Sequence, residues 1–304
     1  MKGSEHLVSK TTPPYLLINI MIELKNLKLI AQGVQAEIYE LDSTKVIRVL
    51  RNVSDEKRLK LEMSLMRSLK EKGKTVPEVY DYLELDGRPS IVMEKINGDT
   101  MLSAMKKRPF TLLKQAKNLA KLHLDVTTST EGLGMSSINV RAKYLIESLD
   151  VLDEDIKKFV LDILNELPEG TDICHGDFHP GNILIVNNTY YVIDWFGATY
   201  GEKLSDMAHT YILLRNTPKL PGISKIENFI IGLFGSTISN KYLSTCKKIY
   251  PFDLREFSKW MVVRATERLY YGVKTEKEAL IQFIKECKKA HESGIDSYSW
   301  WKFI

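Results

Sequence analysis

Cysteine is scarce in this chain of 304 residues: Cys174, Cys246 and Cys287 are odd in number and far apart. That excludes a disulfide framework as the organising principle and favours a reducing compartment, so a cytoplasmic location is expected. Long apolar runs are missing too. The longest, YLLINIMIEL over Tyr15–Leu24, is about half of the roughly 20 residues that a spanning helix needs, and Glu23 interrupts it. No membrane partner is expected. The preceding MKGSEHLVSKTTPP carries little positive charge and no small-residue cleavage site, so residues 1–22 read as a flexible leader. A large excess of one charge sign is also lacking. The formal charge is +4 and the basic residues are spread along the chain, which points away from nucleic acid and leaves anionic ligands open. Neither HExxH nor paired CxxC occurs, and there is no internal repeat or low-complexity tract.

What is present is the apolar and charged content of an ordinary globular protein, patterned in two styles. The first style is strand-like. LKLIAQG, EIYEL and KVIRVLR follow one another over 27–51, with Asp42-Ser43-Thr44 as a turn. A helical stretch over 54–73 carries Leu59, Met63, Met66 and Leu69 at spacings of three and four and stops at Gly73. VYDYLEL and PSIVMEKI then read as two more strands around Asp86-Gly87-Arg88, and Gly98 is expected to loosen the chain where the pattern changes. Beyond it the chain is mostly helical. FTLLKQAKNLAKLHLDV, VRAKYLIESLD, DEDIKKFVLDILNEL, LREFSKWMVVRATERLYYGV and EKEALIQFIKECKKAHES are the clearest helices. A mixed first lobe, residues 23–97, followed by a mainly helical lobe, residues 98–304, is the α+β architecture this predicts.

The chemistry is concentrated in residues 174–197, CHGDFHPGNILIVNNTYYVIDWFG. Cys174, His175, Asp177 and His179 are all competent metal ligands, so a metal-dependent hydrolase is one reading, but no second cluster completes a shell at zinc spacing. Phosphoryl transfer accounts for more of the residues. Asp177 stands five positions before Asn182, a short hairpin follows, and Asp194 closes it. In a kinase site the first aspartate orients the attacking hydroxyl and takes its proton, while the asparagine and later aspartate hold Mg²⁺. The protein-kinase pattern HRDxxxxN followed by DFG has the same logic. No APE-like stretch follows Asp194, and Asp206 comes too soon after it to leave room for an activation segment.

HGDFHPGNILI with VIDW at this distance resembles the aminoglycoside phosphotransferase and choline kinase-like family. The resemblance implies a bilobal protein kinase-like fold: a small N-terminal lobe with an antiparallel sheet and one helix, and a larger, mainly helical C-terminal lobe. It implies a small-molecule kinase that uses ATP or GTP and Mg²⁺, with Asp177 as catalytic base and Asn182 and Asp194 as metal ligands. On the first lobe it implies a phosphate loop at Gly33 and a nucleotide-facing Arg48 paired with Glu62. Strand alternation puts Val46 on the face of Arg48. The Glu94 carbonyl and Ile96 amide would meet an adenine edge with Met93 behind it, and Val46 and Leu184 would flank the ring. His175 and His179 would support the loop and Asp206 would steady it. His123 in LAKLHLD matches the family's helix end, where packing is its expected role, and Cys174 is expected to be a buried, inert thiol.

The acceptor is less legible. Beyond Asp206 there are 9 acidic and 16 basic residues, which points away from a polycationic acceptor. Tyr270, Tyr271, Trp300 and Trp301 could stack on a sugar or cage an amine, or simply pack helices and the C-terminus. A sugar, an amino alcohol or an antibiotic all fit. A non-catalytic nucleotide-binding protein of the same fold is the rival to an enzyme, but such a chain is expected to have lost one of Asp177, Asn182 and Asp194. Nothing in the sequence sets the oligomeric state.

Overall fold

The computed structural model describes residues 22–129, 133–215, 225–272 and 275–304. All but the last residue of the expected leader lies outside them. The chain divides into two units. One holds the described residues up to Lys70 together with Pro77–Ile96, and the other holds Glu71–Val76 and Asn97–Ile304.

In the first unit, Lys28–Gln32 (β1), Ala36–Glu40 (β2), Lys45–Leu50 (β3), Val79–Leu85 (β4) and Arg88–Glu94 (β5) form one antiparallel sheet in the order β1-β2-β3-β5-β4. Short turns set this register. The Asp42 carboxylate accepts the Thr44 and Lys45 amides at 2.7 and 2.8 Å, and Asp86 and Gly87 take the left-handed conformation that a two-residue hairpin needs. Ile47, Val49, Leu83, Leu85 and Val92 build the core with Leu24. Ile47 and Val49 alternate with Val46, Arg48 and Leu50, which is the period-two pattern of the sequence. Helix α1, Glu56–Glu71, follows a 3-10 turn capped by Asn52 and buries Leu59, Glu62, Leu65, Met66 and Leu69.

The second unit carries Asp99–Thr100 (β6), Ile183–Val186 (β8) and Thr189–Val192 (β9) as a three-stranded antiparallel sheet, and pairs Asp172–Cys174 (β7) with Thr199–Gly201 (β10). Asn187 and Asn188, both left-handed, close the β8–β9 hairpin. Its described helices are Met101–Lys107 (α2), Leu112–Val126 (α3), Ile138–Glu147 (α4), Glu154–Glu166 (α5), Lys203–Arg215 (α6), Lys225–Ile249 (α7), Leu254–Tyr270 (α8) and Lys277–Glu292 (α9). α6 and α8 are the interior helices. Ten of the 13 residues of α6 and twelve of the 17 of α8 are buried, so neither shows a clean amphipathic stripe. No described helix is long and apolar enough to cross a membrane.

Gly98 does not act as a loosening point. A Cβ there would lie 2.4 Å from the Ile185 carbonyl oxygen, so glycine lets this segment lie directly against β8. The C-terminus docks on α8, where the Ser258 hydroxyl accepts the Trp301 amide at 3.2 Å and Trp300 is buried against Phe159. Trp300 and Trp301 therefore serve packing, whereas Tyr270 and Tyr271 are about half exposed.

Candidate functional site

The loop His175–Asn182 lies between β7 and β8, and Asp194 lies just past β9, so the β8–β9 hairpin connects the two arms. The Asn182 Nδ2 donates to the Asp177 carbonyl at 2.9 Å and to its carboxylate at 3.2 Å. That fixes the amide orientation and leaves Oδ1 as its hard oxygen donor. The Asn182 carbonyl in turn accepts the Ile193 amide at 3.0 Å, which ties the start of β8 to the residue before Asp194. Asp194 itself has φ 64° and ψ 65°, a left-handed conformation that a non-glycine residue holds at a cost of about 1–3 kcal/mol. Its neighbours keep it there: the Trp195 indole donates to the Val192 carbonyl at 3.2 Å, and the Ala198 amide to the Trp195 carbonyl at 3.0 Å.

His175 links the arms. Its Nε2 lies 3.1 Å from the Ile193 carbonyl, which can only accept, so Nε2 carries the proton. Nδ1 is then free to accept the Asp177 amide at 3.2 Å. Burial pushes the His175 pKa down, which keeps this neutral tautomer. His179 caps the 3-10 turn Pro180–Asn182 by accepting the Gly181 amide on Nδ1, and its Nε2 stands 3.6 Å from the Asp177 carboxylate. Burial acts to raise the Asp177 pKa, but the His179 imidazole beside the carboxylate, with smaller contributions from His209 and His175, outweighs it. The carboxyl is held well below the usual range and is ionised at neutral pH.

Asp206, on α6, is 1 % exposed and accepts the His175 amide at 2.6 Å, the Gly176 amide at 2.9 Å and His123 Nε2 at 3.0 Å. Burial again works upward on its pKa, and the hydrogen bond from His123, with the Arg264 guanidinium nearby, pulls the carboxyl below its ordinary value. His123 does more than pack. Its Nδ1 accepts the Tyr242 hydroxyl at 2.6 Å, and its ring stacks on Phe178 at 4.0 Å. Two further features escaped the sequence. Tyr242 has no local motif, and Arg141 reaches the Gly197 carbonyl at 2.7 Å from α4.

Cys174 is buried and donates toward the Asp172 and Glu202 carbonyls, and burial raises its pKa far above that of an ordinary thiol. Among the described residues no group of three or more His, Cys, Asp and Glu could hold a metal ion, so this cluster does not have the geometry of a hydrolase's transition-metal shell. Asn182 and Asp194 offer hard oxygen donors. A pair of protein ligands of that kind suits Mg²⁺, which keeps the rest of its octahedron for water and phosphate.

In the first unit, Arg48 pairs with Glu62, both buried, and Val46 stands opposite Met93 across β3 and β5. The β1–β2 turn is tight at Gly33, whose amide donates to the Ala36 carbonyl at 2.8 Å and whose carbonyl accepts Arg51 Nε at 3.0 Å. At the end of β5 the Glu94 amide donates to the Glu78 carbonyl and the following Lys95 amide to the Thr44 carbonyl, each at 2.8 Å, which steadies the segment leading to Ile96. Leu184, in the second unit, is on β8 opposite Tyr191.

Gly176 has φ +80°, and a Cβ there would lie 2.5 Å from the Gly197 carbonyl oxygen. Gly176→Ala is expected to lower stability by about 2 kcal/mol or more through backbone strain and displacement of that contact. Urea denaturation midpoints check this, and an unchanged midpoint would show that the loop relaxes freely.

A family model described as the phosphotransferase enzyme family matches residues 26–221. Among curated protein sequences nothing matches. Solved structures do. The ADP-bound aminoglycoside phosphotransferase APH(2'')-Ib is 17% identical with a TM-score of 0.54, over 94% of this chain and 98% of that one. The amicoumacin kinase hAmiN in complex with AMP-PNP, Ca²⁺ and Ami is 15% identical with a TM-score of 0.58, over 94% and 95%. An aminoglycoside-3'-phosphotransferase of type VIII is 18% identical with a TM-score of 0.58, over 80% and 93%. The chain shares the protein kinase-like fold of these neighbours.

Proposed function

The chain belongs to the phosphotransferase enzyme family, and on that premise we propose that it transfers the γ-phosphoryl group of ATP or GTP to a hydroxyl of a small acceptor. The observation that carries this reading is the bonding of Asn182 to Asp177 on one side and to the Ile193 amide, next to Asp194, on the other. Asp177 is the proposed base. Its depressed pKa makes it a weak base for a free alcohol, so its work is to orient the hydroxyl and receive the proton late, as the new O–P bond forms. Asn182 and Asp194 would hold Mg²⁺, which neutralises charge on the transferring group when bound. His175 and Asp206 keep the loop in place, and His179 keeps Asp177 ionised.

On the nucleotide side, Gly33, Val46, Arg48, Glu62, Met93, Glu94 and Ile96 are assigned contacts or supports in the first unit, and Leu184 is assigned to the same ligand in the second. The buried Arg48–Glu62 pair supports this, because a guanidinium can bridge a carboxylate and a phosphate. For the acceptor, a hydroxyl-bearing sugar, amino alcohol or antibiotic fits. The related aminoglycoside and amicoumacin kinases support an antibiotic, and the basic excess beyond Asp206 weighs against a strongly polycationic one.

The test is a screen of ATP and GTP consumption against a library of sugars, amino alcohols and antibiotics. Acceptor-dependent release of nucleoside diphosphate that disappears in Asp177→Asn is the expected result. A protein that binds nucleotide but turns over no acceptor, with or without that substitution, would instead be a non-catalytic binder.

A further inference from the structure

The two arms of the site touch at a pair of glycines. Gly176 immediately precedes Asp177, and Gly197 follows Asp194 by three residues. Their backbones lie so close that a Cβ on Gly176 would fall 2.5 Å from the Gly197 carbonyl oxygen, and one on Gly197 would fall 3.5 Å from the His175 carbonyl oxygen. That Gly197 carbonyl is the group Arg141 caps, through Nη1 at 2.7 Å. The Arg141 Nη2 would stand 3.6 Å from a Cβ on Gly176, so the guanidinium sits at the junction itself.

Arg141 is not left to choose its own rotamer. Its Nε and Nη2 both reach Glu267 Oε1 at 2.9 Å, from α4 to α8. The second oxygen of Glu267 accepts Arg264 Nη1, and Arg264 Nη2 donates to His209 Nδ1 at 2.6 Å. His209 lies one helical turn beyond Asp206 on α6, and Asp206 holds the His175 and Gly176 amides. The hydrogen-bonded series therefore begins on the Asp194 arm and ends on the helix that grips the Asp177 arm. Arg264 and Glu267 are almost wholly buried, and a buried ion pair is costly to desolvate unless its partners are closely placed. A lone carbonyl needs only one donor, and a water or an amide would satisfy it. A guanidinium fixed at three of its nitrogens imposes a direction as well.

We propose that Arg141 is a positioning residue for phosphoryl transfer: by capping the Gly197 carbonyl it sets where the Asp194 arm stands relative to Asp177, and Glu267, Arg264 and His209 hold its guanidinium for that purpose. The inference rests on the phosphotransferase reading above. The supporting partner of a metal-holding arm is worth about 10- to 100-fold in metal affinity or activity.

The test uses calorimetric titration of the full chain with AMP-PNP, once with Mg²⁺ and once with EDTA, together with thermal midpoints. In Arg141→Ala the affinity for AMP-PNP with Mg²⁺ should fall about tenfold or more, while the affinity in EDTA stays within about twofold of the parent protein. Arg141→Lys keeps one donor and should recover part of the loss, and Glu267→Gln should fall between the two. If Arg141→Ala does not fold, Arg141→Lys and Glu267→Gln are judged by the same difference between Mg²⁺ and EDTA. A lowered thermal midpoint with unchanged Mg²⁺-dependent affinity would make Arg141 purely structural and overturn the inference. Equal losses with Mg²⁺ and with EDTA would overturn it too. A parent protein that binds no AMP-PNP in either condition would instead sink the phosphotransferase reading itself.

Discussion

Replacing Asp177 by Ala is expected to lower kcat by about a thousandfold and to leave the KM for nucleotide within a few-fold of its starting value, the range for removal of the proposed general base. Both halves of this result follow from geometry. The carboxylate is about half exposed and its partners belong to its own loop, Asn182 Nδ2 at 3.2 Å and His179 Nε2 at 3.6 Å. Removing it strips the group proposed to orient a hydroxyl, while the Asn182 bond to the Asp177 backbone carbonyl at 2.9 Å survives and keeps the loop in register. The substitution should therefore be silent in a calorimetric titration with nucleotide and Mg²⁺. A variant that still turns over at a tenth of the parent rate would show that the proton goes elsewhere.

The largest effect on stability is expected at Asp206. Its carboxylate takes two backbone amides and His123 Nε2 in a fully buried setting, so Asp206→Ala leaves three donors without an acceptor. Each such group costs about 1–3 kcal/mol, and partial rearrangement brings the expected loss to about 4 kcal/mol. For a chain of this size that lowers the thermal midpoint by about 6 °C. The pH dependence follows from the direction of the shift. The folded carboxyl titrates below the 3.8 of an unperturbed aspartate, so its contribution is complete above that value and is lost as pH falls through and below it. Buried His209, held neutral by its surroundings, works in the same direction below its ordinary 6.5. Urea midpoints of the parent protein and Asp206→Asn should differ most near neutrality, and the gap should narrow progressively as pH falls below 3.8. A gap that persists unchanged at low pH would mean that packing, rather than charge, makes the difference.

The local parts of the site are legible in the sequence because they are set by spacing. Asp177, Asn182 and Asp194 sit on one loop and one hairpin, and the run ILIV with its Asn187-Asn188 turn is the strand and turn observed. The sheet of the first unit is readable for the same reason, since its strands alternate and its turns carry Asp and Gly. What holds the site from a distance is not readable. Asp206 meets His123 from 83 residues away, and His123 meets Tyr242 from 119. Arg141 meets Glu267 across 126 positions. Pairs so far apart leave no periodic trace. The helices that bring them together hide as well, because α6 and α8 are buried nearly all round and lack the polar face that marks a helix's orientation. Gly98 shows a related limit: a glycine that permits flexibility and one that permits close approach look the same until the opposing Ile185 carbonyl is placed.

On the proposed mechanism this chain moves a phosphoryl group onto a hydroxyl under the control of Asp177. Phosphorus-31 NMR of a reaction with nucleoside triphosphate, Mg²⁺ and the acceptor found by the consumption screen tests it most directly. A new phosphomonoester resonance on the acceptor, growing in step with nucleoside diphosphate and absent with Asp177→Ala, is the expected result. Release of inorganic phosphate alone, or a phosphomonoester that forms equally well without Asp177, would contradict it.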